Sequence, residues 1–179
     1  MYFSTTFPSP VGTITLACYN DKLVGLWTHG QKYHGDTIPE AMVENNDIAV
    51  FGAAKKWLDR YFAGEKPDIA DLPLAPIGGE FRQAVWKTLC EIPYGNVITY
   101  GGIAKKIAAR MGRESMSSQA VGGAVGHNPI SIIIPCHRVV GSTGSLTGFA
   151  GGIQMKVKLL EFEGVDMSRL FVPKKGTAL

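Results

Sequence analysis

The stretch IIIPCHRVVG at residues 132–141 places a thiol, an imidazole and a guanidinium side by side, directly after an apolar run. Burying such polar groups costs free energy unless they are hydrogen-bonded or used chemically. A thiolate is the nucleophilic form of cysteine, and a neighbouring imidazole or helix N-terminus lowers the pKa of a thiol. We therefore interpret Cys136 as a candidate nucleophile assisted by His137. The alternative is a buried and inert thiol.

An imidazole that acts as a base needs an acceptor behind it to fix its tautomer and orientation, as in a catalytic triad. Two carboxylates, Glu161 and Glu163, lie near the end of the last predicted helix, where a negative charge opposes the helix macrodipole. Such a carboxylate is either fully solvated or has a specific task. Neighbouring residues of an extended segment point to opposite sides, so Cys136 and His137 are expected to communicate through a turn or a bridging water.

A zinc site is the competing use of cysteine and histidine. Cys136 and His137 are adjacent, which does not match the ligand spacing of structural zinc sites. Cys18, His29 and His34 can be grouped as ligands, but that set lacks a fourth member. We therefore expect no metal at either place.

The location of the protein is predicted from what the sequence lacks. Its three cysteines are too few and too scattered for a disulfide framework. The sequence opens without the features of a signal peptide, and no apolar stretch approaches the length of a membrane span. These observations predict a reduced cytoplasmic protein with no membrane contact.

The elements that must position the candidate residues fall into an α+β arrangement. A small N-terminal α/β domain with a linker is predicted at 1–78, a mostly α-helical domain at 79–165, and a C-terminal tail at 166–179. Apolar and polar residues alternate on either side of Asn20 and Asp21, which predicts an antiparallel hairpin. Apolar side chains at helical spacing predict a helix over 48–63, with Asp47 as its N-cap and Gly64 as its stop.

The second domain has a mostly helical pattern. Helices are predicted over 80–92, from Thr99 to 110, over 119–125 after Ser117 or Ser118, and over 153–164. Cys90 falls within the first of them and is expected to be a small buried hydrophobe. Between the last two helices the sequence predicts a short buried extended segment at 130–134 and a glycine-rich loop at 141–152.

The helices near 99–126 resemble a helix-turn-helix. The second offers Gln119 and then, from Ala120 on, only Ala, Val and Gly. So thin a helix has few side chains that read base edges, which indicates sequence-independent contact with DNA in the narrow minor groove. A helix pair packed within its own domain explains the pattern equally well.

Charge divides along the same boundary. Residues 1–79 carry six Lys/Arg against nine Asp/Glu, and residues 80–165 carry nine against five. The second domain is therefore the candidate for contacting an anion, although charge alone favours an ordinary protein surface.

The motif PCHRVV, preceded by AVGGAVGHNPI and followed by GFAGGIQMKVKLLEFEG, resembles the O6-alkylguanine-DNA alkyltransferases, also called methylated-DNA–protein-cysteine methyltransferases. The resemblance covers about residues 79–165 without a large gap and extends loosely over 1–75. It implies DNA repair by direct reversal: a monomer, without a cofactor, flips an alkylated guanine out of double-stranded DNA. O4-alkylthymine is the second expected substrate.

The resemblance also implies roles for individual residues. Cys136 would take the alkyl group, His137 would act through a water as base, Glu163 would orient His137, and Asn128 would brace the turn. Tyr100 would help to rotate the nucleotide out of the duplex. The remaining residues expected to contact DNA or the base are Gln119, Ala120, Val139, Phe149, Ala150 and Gly151.

The product of alkyl transfer to Cys136 would be an S-alkyl thioether. A thioether has no electrophilic carbonyl that water could attack. One protein would then repair one lesion. Three positions depart from many relatives of the family: Gln119 stands for an arginine, Phe149 for a tyrosine and Ser131 for a proline. The alternatives are a helix-turn-helix protein that binds DNA or senses alkyl lesions without catalysis, and a cysteine hydrolase.

Overall fold

The computed structural model describes residues 1–174, and the predicted tail positions 175–179 lie outside this part. The chain divides into two compact units, one built from residues 1–78 with 129–133 and the other from 79–128 with residues from 134 onward. The α+β class predicted from the sequence is confirmed.

A four-stranded sheet forms the first unit, in the order β3-β2-β1-β4. Its strands are β1 (Tyr2–Ser9), β2 (Gly12–Tyr19), β3 (Lys22–Thr28) and β4 (Met42–Glu44). The predicted hairpin is confirmed: β2 and β3 pair antiparallel, and Asn20 and Asp21 have φ of 47° and 56°, as a tight primed turn requires. β1 pairs antiparallel with β2 and parallel with β4.

Helix α1 (Ala49–Phe62) carries its apolar stripe on one face. The buried residues are Val50, Phe51, Ala54, Trp57, Leu58 and Tyr61. The predicted N-cap was wrong, because Ile48 occupies that position without a side-chain cap, while the Asp47 amide donates to Asn45. The predicted stop is confirmed, since Gly64 has φ of 80° just after the helix.

Four helices and a small sheet form the second unit. They are α2 (Glu80–Leu89), α3 (Tyr100–Arg110), α4 (Ser118–Gly126) and α5 (Ile153–Phe162), with the parallel pair β5 (Ile98–Thr99) and β6 (Val139–Val140). Thr99 and Ser117 cap α3 and α4 by accepting from Gly102 and Ala120, as their residue types predict. Trp86 Nε1 of α2 donates to Ala124 O of α4 at 2.8 Å. Cys90 is the C-cap of α2 and only half-buried, which corrects the expectation of full burial.

Residues 130–134 are buried as predicted, but Ile130 forms an isolated bridge with Leu26 and residues 131–134 form turns instead of an extended segment. Ile132 has φ of 70°, a region that costs a β-branched residue steric strain. The segment is held by Leu26, whose amide donates to Pro129 O and whose carbonyl accepts from Ser131 N. Ser131 Oγ also accepts from Gln31 Nε2 at 2.9 Å, which gives this buried hydroxyl a partner.

The described part of the predicted tail belongs to the second unit. A short 3-10 turn forms at Met167–Arg169, and Phe171 bridges to Ser145. The neighbouring apolar cluster consists of Val140, Leu146, Leu160 and Val165. In residues 1–174, no helix combines the length and apolarity needed to cross a membrane.

Candidate active site

Cys136 and His137 lie on one short turn. Residues Cys136–Arg138 form a single 3-10 turn after Pro135, closed by a hydrogen bond from Val139 N to Cys136 O. From the end of α4, Asn128 Nδ2 donates to Ile134 O at 2.8 Å and so fixes the entry to the turn. Cys136 is 6% exposed and His137 is fully buried. The turn replaces the extended geometry that would have pointed the two side chains apart.

Behind His137 lies Glu163, the C-cap residue of α5. Its Oε1 accepts from His137 Nε2 at 2.6 Å. Burial is the main cause that lowers the pKa of His137, so the ring is neutral. With Nε2 protonated toward the carboxylate, Nδ1 carries the lone pair. Nδ1 is buried and has no hydrogen-bond partner among the described residues, which makes it the proton-accepting atom of the ring.

Arg138 encloses the same carboxylate and was not predicted as a site residue. Its Nε donates to Glu163 Oε2 at 2.8 Å, its Nη2 donates to Oε1 at 3.0 Å, and its Nη1 donates to Ile92 O at 2.6 Å. Burial by itself raises the pKa of Glu163, but the hydrogen bonds from His137 and Arg138 outweigh burial and hold that pKa well below its usual range. Glu163 is therefore an anion with specific partners, whereas Glu161 is exposed.

A second polar cluster joins α3, the glycine-rich loop and α5. Tyr100 Oη and Lys156 Nζ each donate to Thr147 O at 2.8 Å, and Lys156 Nζ also donates to Val139 O. Burial raises the pKa of Tyr100, and the charge of a Cys136 thiolate raises it further, so the phenol stays protonated. Lys156 was missed by the sequence reasoning. The available signal was its helical spacing to the buried Leu159 and Leu160.

The glycine-rich loop approaches Tyr100 closely. Gly148 has φ of 79°, and a Cβ there would come within 2.5 Å of the Tyr100 hydroxyl oxygen. A Cβ on Gly151 would come within 2.7 Å of the Phe149 ring. Phe149 is buried, while Ala150 and Gly151 are partly exposed. Glycine at 148 thus permits the close approach of the loop to Tyr100, and glycine at 151 leaves room for the Phe149 ring.

Gln119 and Ala120 lie at the exposed start of α4, in contrast to the buried cysteine turn. α4 lies beside Tyr100, since a Cβ on Gly122 would be in ordinary van der Waals contact with that ring at 3.8 Å. An open groove of about 430 Å³ between α3 and the following loop is lined in part by Lys105 and Arg113. This surface therefore combines a helix of small residues with the neighbouring cationic side chains of Lys105 and Arg113.

The other two cysteines differ from Cys136 in their surroundings. Burial and the negative charge of Asp21 raise the pKa of Cys18, and burial and Glu91 raise the pKa of Cys90 to about 11. Both are therefore thiols at neutral pH. No group of three His, Cys, Asp or Glu residues suited to a metal ion occurs within residues 1–174.

Comparison with known proteins gives two family matches that together span nearly the whole chain. Residues 1–76 match the ribonuclease-like domain of 6-O-methylguanine DNA methyltransferase, and residues 80–165 match the DNA-binding domain of the same family. The methylated-DNA–protein-cysteine methyltransferase of Methanosarcina acetivorans is 44% identical over 92% of this chain and 99% of its own. The protein of that name from Haemophilus influenzae is 37% identical over 91% and 87%.

Solved structures agree with these matches. The crystal structure of Mycobacterium tuberculosis O6-methylguanine methyltransferase superposes with a TM-score of 0.76 at 40% identity, covering 98% of this chain and 97% of the other. The structure of Mycobacterium tuberculosis OGT in complex with DNA gives a TM-score of 0.77 at 41% identity, covering 94% of each chain.

Proposed function

Because this chain belongs to the 6-O-methylguanine DNA methyltransferase family and repairs DNA by alkyl transfer, we propose that Cys136 is the residue that receives the alkyl group. The observation that carries the proposal is the hydrogen bond from His137 Nε2 to the buried Glu163 carboxylate. It fixes the tautomer that leaves Nδ1 able to accept a proton. Among the three cysteines, Cys136 is the one directly beside this imidazole.

The reaction follows from these positions. His137 Nδ1 takes the proton of Cys136 through a bridging water, and the Glu163 anion stabilises the imidazolium that forms. The thiolate attacks the alkyl carbon, so that a bond between sulfur and carbon forms while the bond from that carbon to guanine O6 breaks. The electron pair stays on the guanine, which then takes up the proton that the thiol lost. No metal or cofactor takes part in this sequence.

The transfer consumes the protein. The product is a thioether, and water has no carbonyl to attack in it, so each molecule repairs one lesion. Any alkyl group on guanine O6, and on thymine O4, presents the same kind of carbon to the thiolate. We propose both lesions as substrates of a monomer acting in the cytoplasm.

DNA is the partner, and we propose that α4 enters its minor groove. Gln119 and Ala120 would lead the helix, and its small residues would let the backbone approach the duplex. The target atom faces the major groove within the base stack, so the nucleotide must be flipped out before transfer. Tyr100 would assist the rotation. The flipped base would lie against Val139 and the loop residues Phe149, Ala150 and Gly151.

Intact-protein mass spectrometry with a duplex containing O6-methylguanine tests this function. The wild type should gain the mass of one methyl group in place of one hydrogen, located on Cys136, and should stop after one equivalent. Cys136→Ala should lose transfer but keep duplex binding, since α4 is unchanged, and Cys90→Ala should behave as wild type. Transfer by Cys136→Ala, or many turnovers per molecule, would refute the proposal. Binding without transfer by the wild type would identify a lesion sensor instead.

A further inference from the structure

Gln31 is a buried side chain of the first unit to which the mechanism above gives no task. It lies in the loop after β3 and is 6% exposed. Glutamine is mostly found at protein surfaces, and burying an amide costs free energy unless its polar atoms are hydrogen-bonded. Here both ends of the amide are hydrogen-bonded, to Thr28 on one side and to Ser131 on the other.

The contacts with Thr28 fix the direction in which the amide points. Gln31 Oε1 accepts from Thr28 N at 3.1 Å and from Thr28 Oγ1 at 3.3 Å. Because a backbone N–H can only donate, the atom of Gln31 that faces it must be the carbonyl oxygen. The amino group is thereby directed to Ser131 Oγ, to which it donates at 2.9 Å. The loop after β3 thus presents an oriented hydrogen-bond donor to a residue 100 positions later in the chain.

Ser131 is the first residue of a strained turn. Its carbonyl accepts from Ile133 N at 2.8 Å, and Ile132 between them has φ of 70°. A hydrogen bond between residues two apart around a positive φ is the strained form of the γ-turn. Such a conformation costs free energy and persists only where the surrounding structure holds it. The Ser131 amide donates to Leu26 O and its hydroxyl accepts from Gln31, so the turn is held at its first residue through both backbone and side chain.

The strained turn leads directly into the cysteine turn. Ile134 O accepts from Asn128 Nδ2 and from Cys136 N, each at 2.8 Å. Asn128 therefore fixes the chain just before Cys136, while Gln31 fixes it at Ser131. The isoleucines between these two points are buried, and a close-packed interior leaves little room for a shift to be absorbed. A displacement of Ser131 is therefore expected to reach Cys136.

We propose that Gln31 is a positioning residue for alkyl transfer, whose hydrogen bond to Ser131 Oγ holds the strained turn and thereby places Cys136 for attack. The inference rests on the proposed role of Cys136 as the alkyl acceptor. It gives the first unit a specific part in the reaction, exerted through residues 129–133 of the same unit. Because Gln31 acts on the geometry of attack, its loss should slow the transfer step without weakening the binding of DNA.

The first test compares Gln31→Met, which keeps a long unbranched side chain without the amide, with Thr5→Val. Thr5 is the matched control, because its buried hydroxyl is also hydrogen-bonded within the first unit, to Asn46 and Lys55. It lies on β1, which β2 separates from β3. Both variants therefore lose a buried hydrogen bond of the first unit, but Thr5→Val leaves the contact with Ser131 intact.

Single-turnover transfer from an O6-methylguanine duplex is measured against duplex concentration, which separates the transfer rate constant from the dissociation constant of the duplex. Urea unfolding identifies conditions in which each variant is folded. For Gln31→Met we expect the rate constant at saturating duplex to fall about tenfold, because a small misplacement of the reacting atoms is costly, with an unchanged dissociation constant. Thr5→Val should transfer at the wild-type rate. Equal rate constants in the two variants would reduce Gln31 to a structural residue.

Ser131→Ala removes the other partner of the hydrogen bond and deletes only one oxygen, so it tests the same contact if Gln31→Met does not fold. It should also slow the transfer step. The double variant Gln31→Met/Ser131→Ala should be no slower than the slower single variant, because both substitutions remove one shared interaction. The inference is wrong if Ser131→Ala transfers at the wild-type rate, or if the two losses multiply in the double variant.

Hydrogen exchange measures the strained turn itself. The Ile133 amide, which donates to Ser131 O, should exchange faster in Gln31→Met relative to the Leu16 amide of the central strand β2. Thr5→Val should leave this ratio at the wild-type value. An unchanged ratio in Gln31→Met would contradict the path from Gln31 through the turn to Cys136. Failure of the proposed function is seen separately, as transfer that persists in Cys136→Ala.

Discussion

Replacing Glu163 by Gln removes the negative charge that His137 and Arg138 share at the end of α5. The carboxylate accepts from His137 Nε2 at 2.6 Å and from Arg138 Nε and Nη2 at 2.8 and 3.0 Å. A glutamine amide has one accepting oxygen and a donating nitrogen. The single amide oxygen cannot replace both carboxylate oxygens as acceptors for His137 and Arg138. The substitution also leaves the Arg138 guanidinium without an anion.

The size of the effect follows from burial. The side chains of Arg138 and Glu163 are 7% and 0% exposed, and removing one partner of a buried pair costs about 3–5 kcal/mol. We therefore expect Glu163→Gln to lower the free energy of unfolding by about 3 kcal/mol. An amide N–H that points at His137 Nε2 would also favour the Nδ1–H tautomer and remove the base. Since general-base catalysis contributes roughly 10²–10⁴-fold, we expect transfer to slow about 100-fold.

Glu161→Gln is the matched control, because Glu161 lies two positions earlier and is exposed. Urea unfolding at neutral pH gives the free energy of unfolding, and single-turnover transfer from an O6-methylguanine duplex gives the rate. The double variant Arg138→Met/Glu163→Gln removes the unpaired cation as well. It should regain part of the stability lost in Glu163→Gln without regaining the rate, because His137 still lacks its carboxylate.

Two results would refute this reasoning. If Glu163→Gln lost no more free energy of unfolding than Glu161→Gln, the carboxylate would not be the counter-ion of Arg138. If the single variant were destabilised but transferred at the wild-type rate, Glu163 would serve the fold and not the orientation of His137.

Gln119→Ala should slow repair of duplex DNA about tenfold more than reaction with free O6-methylguanine base, because only the duplex must be held open after a base leaves the stack. Equal losses measured on both substrates at one ionic strength would show that Gln119 does not occupy the space that the flipped base leaves in the duplex. Acid should destabilise the fold in two stages. Burial lowers the pKa of His137 in the folded protein beneath its unfolded value of about 6.5. As the pH falls below that value, the unfolded chain binds the proton first. The free energy of unfolding therefore decreases by up to about 1.4 kcal/mol per pH unit. The pKa of Glu163 is also lowered in the folded protein. Protonation of this residue in the unfolded chain therefore decreases the free energy of unfolding further below a pH of about 4.3, its unfolded pKa. Urea unfolding that is flat between pH 7 and 5 would contradict the His137 contribution.

Local chemistry made much of the fold predictable. Asn20 and Asp21 tolerate the left-handed backbone of a tight hairpin, and both have it. Thr99, and either Ser117 or Ser118, could be assigned as helix caps because their hydroxyls accept from amides two or three residues away. The structure selects Ser117 of the two serines. Strands β1 and β4 were missed. The parallel pairing of Tyr2 with Met42 depends on partners 40 positions apart, and no local pattern encodes it.

The site shows the same limit. The motif around Cys136 and the carboxylate of Glu163 were found from residue types and family resemblance. The positive φ of Ile132 was not predicted. An isoleucine side chain favours negative φ, and the fold overrides that preference here. Arg138 and Lys156 were not assigned to the site either. A charged residue in a sequence is expected at the surface, and their burial depends on acceptors contributed by distant segments.

The separation of His137 from Glu163 has a consequence for synthesis of the protein. The two residues are 26 positions apart, and the carboxylate lies at the far end of the last α-helix. While a ribosome is still translating the intervening loop, the nascent chain already has its cysteine and imidazole, but nothing fixes the imidazole's tautomer. In the mechanism proposed above, activation of the thiol therefore waits until α5 has been made and has docked. If each molecule transfers one alkyl group, as proposed above, this order protects the unfinished chain from reacting before it can recognise DNA.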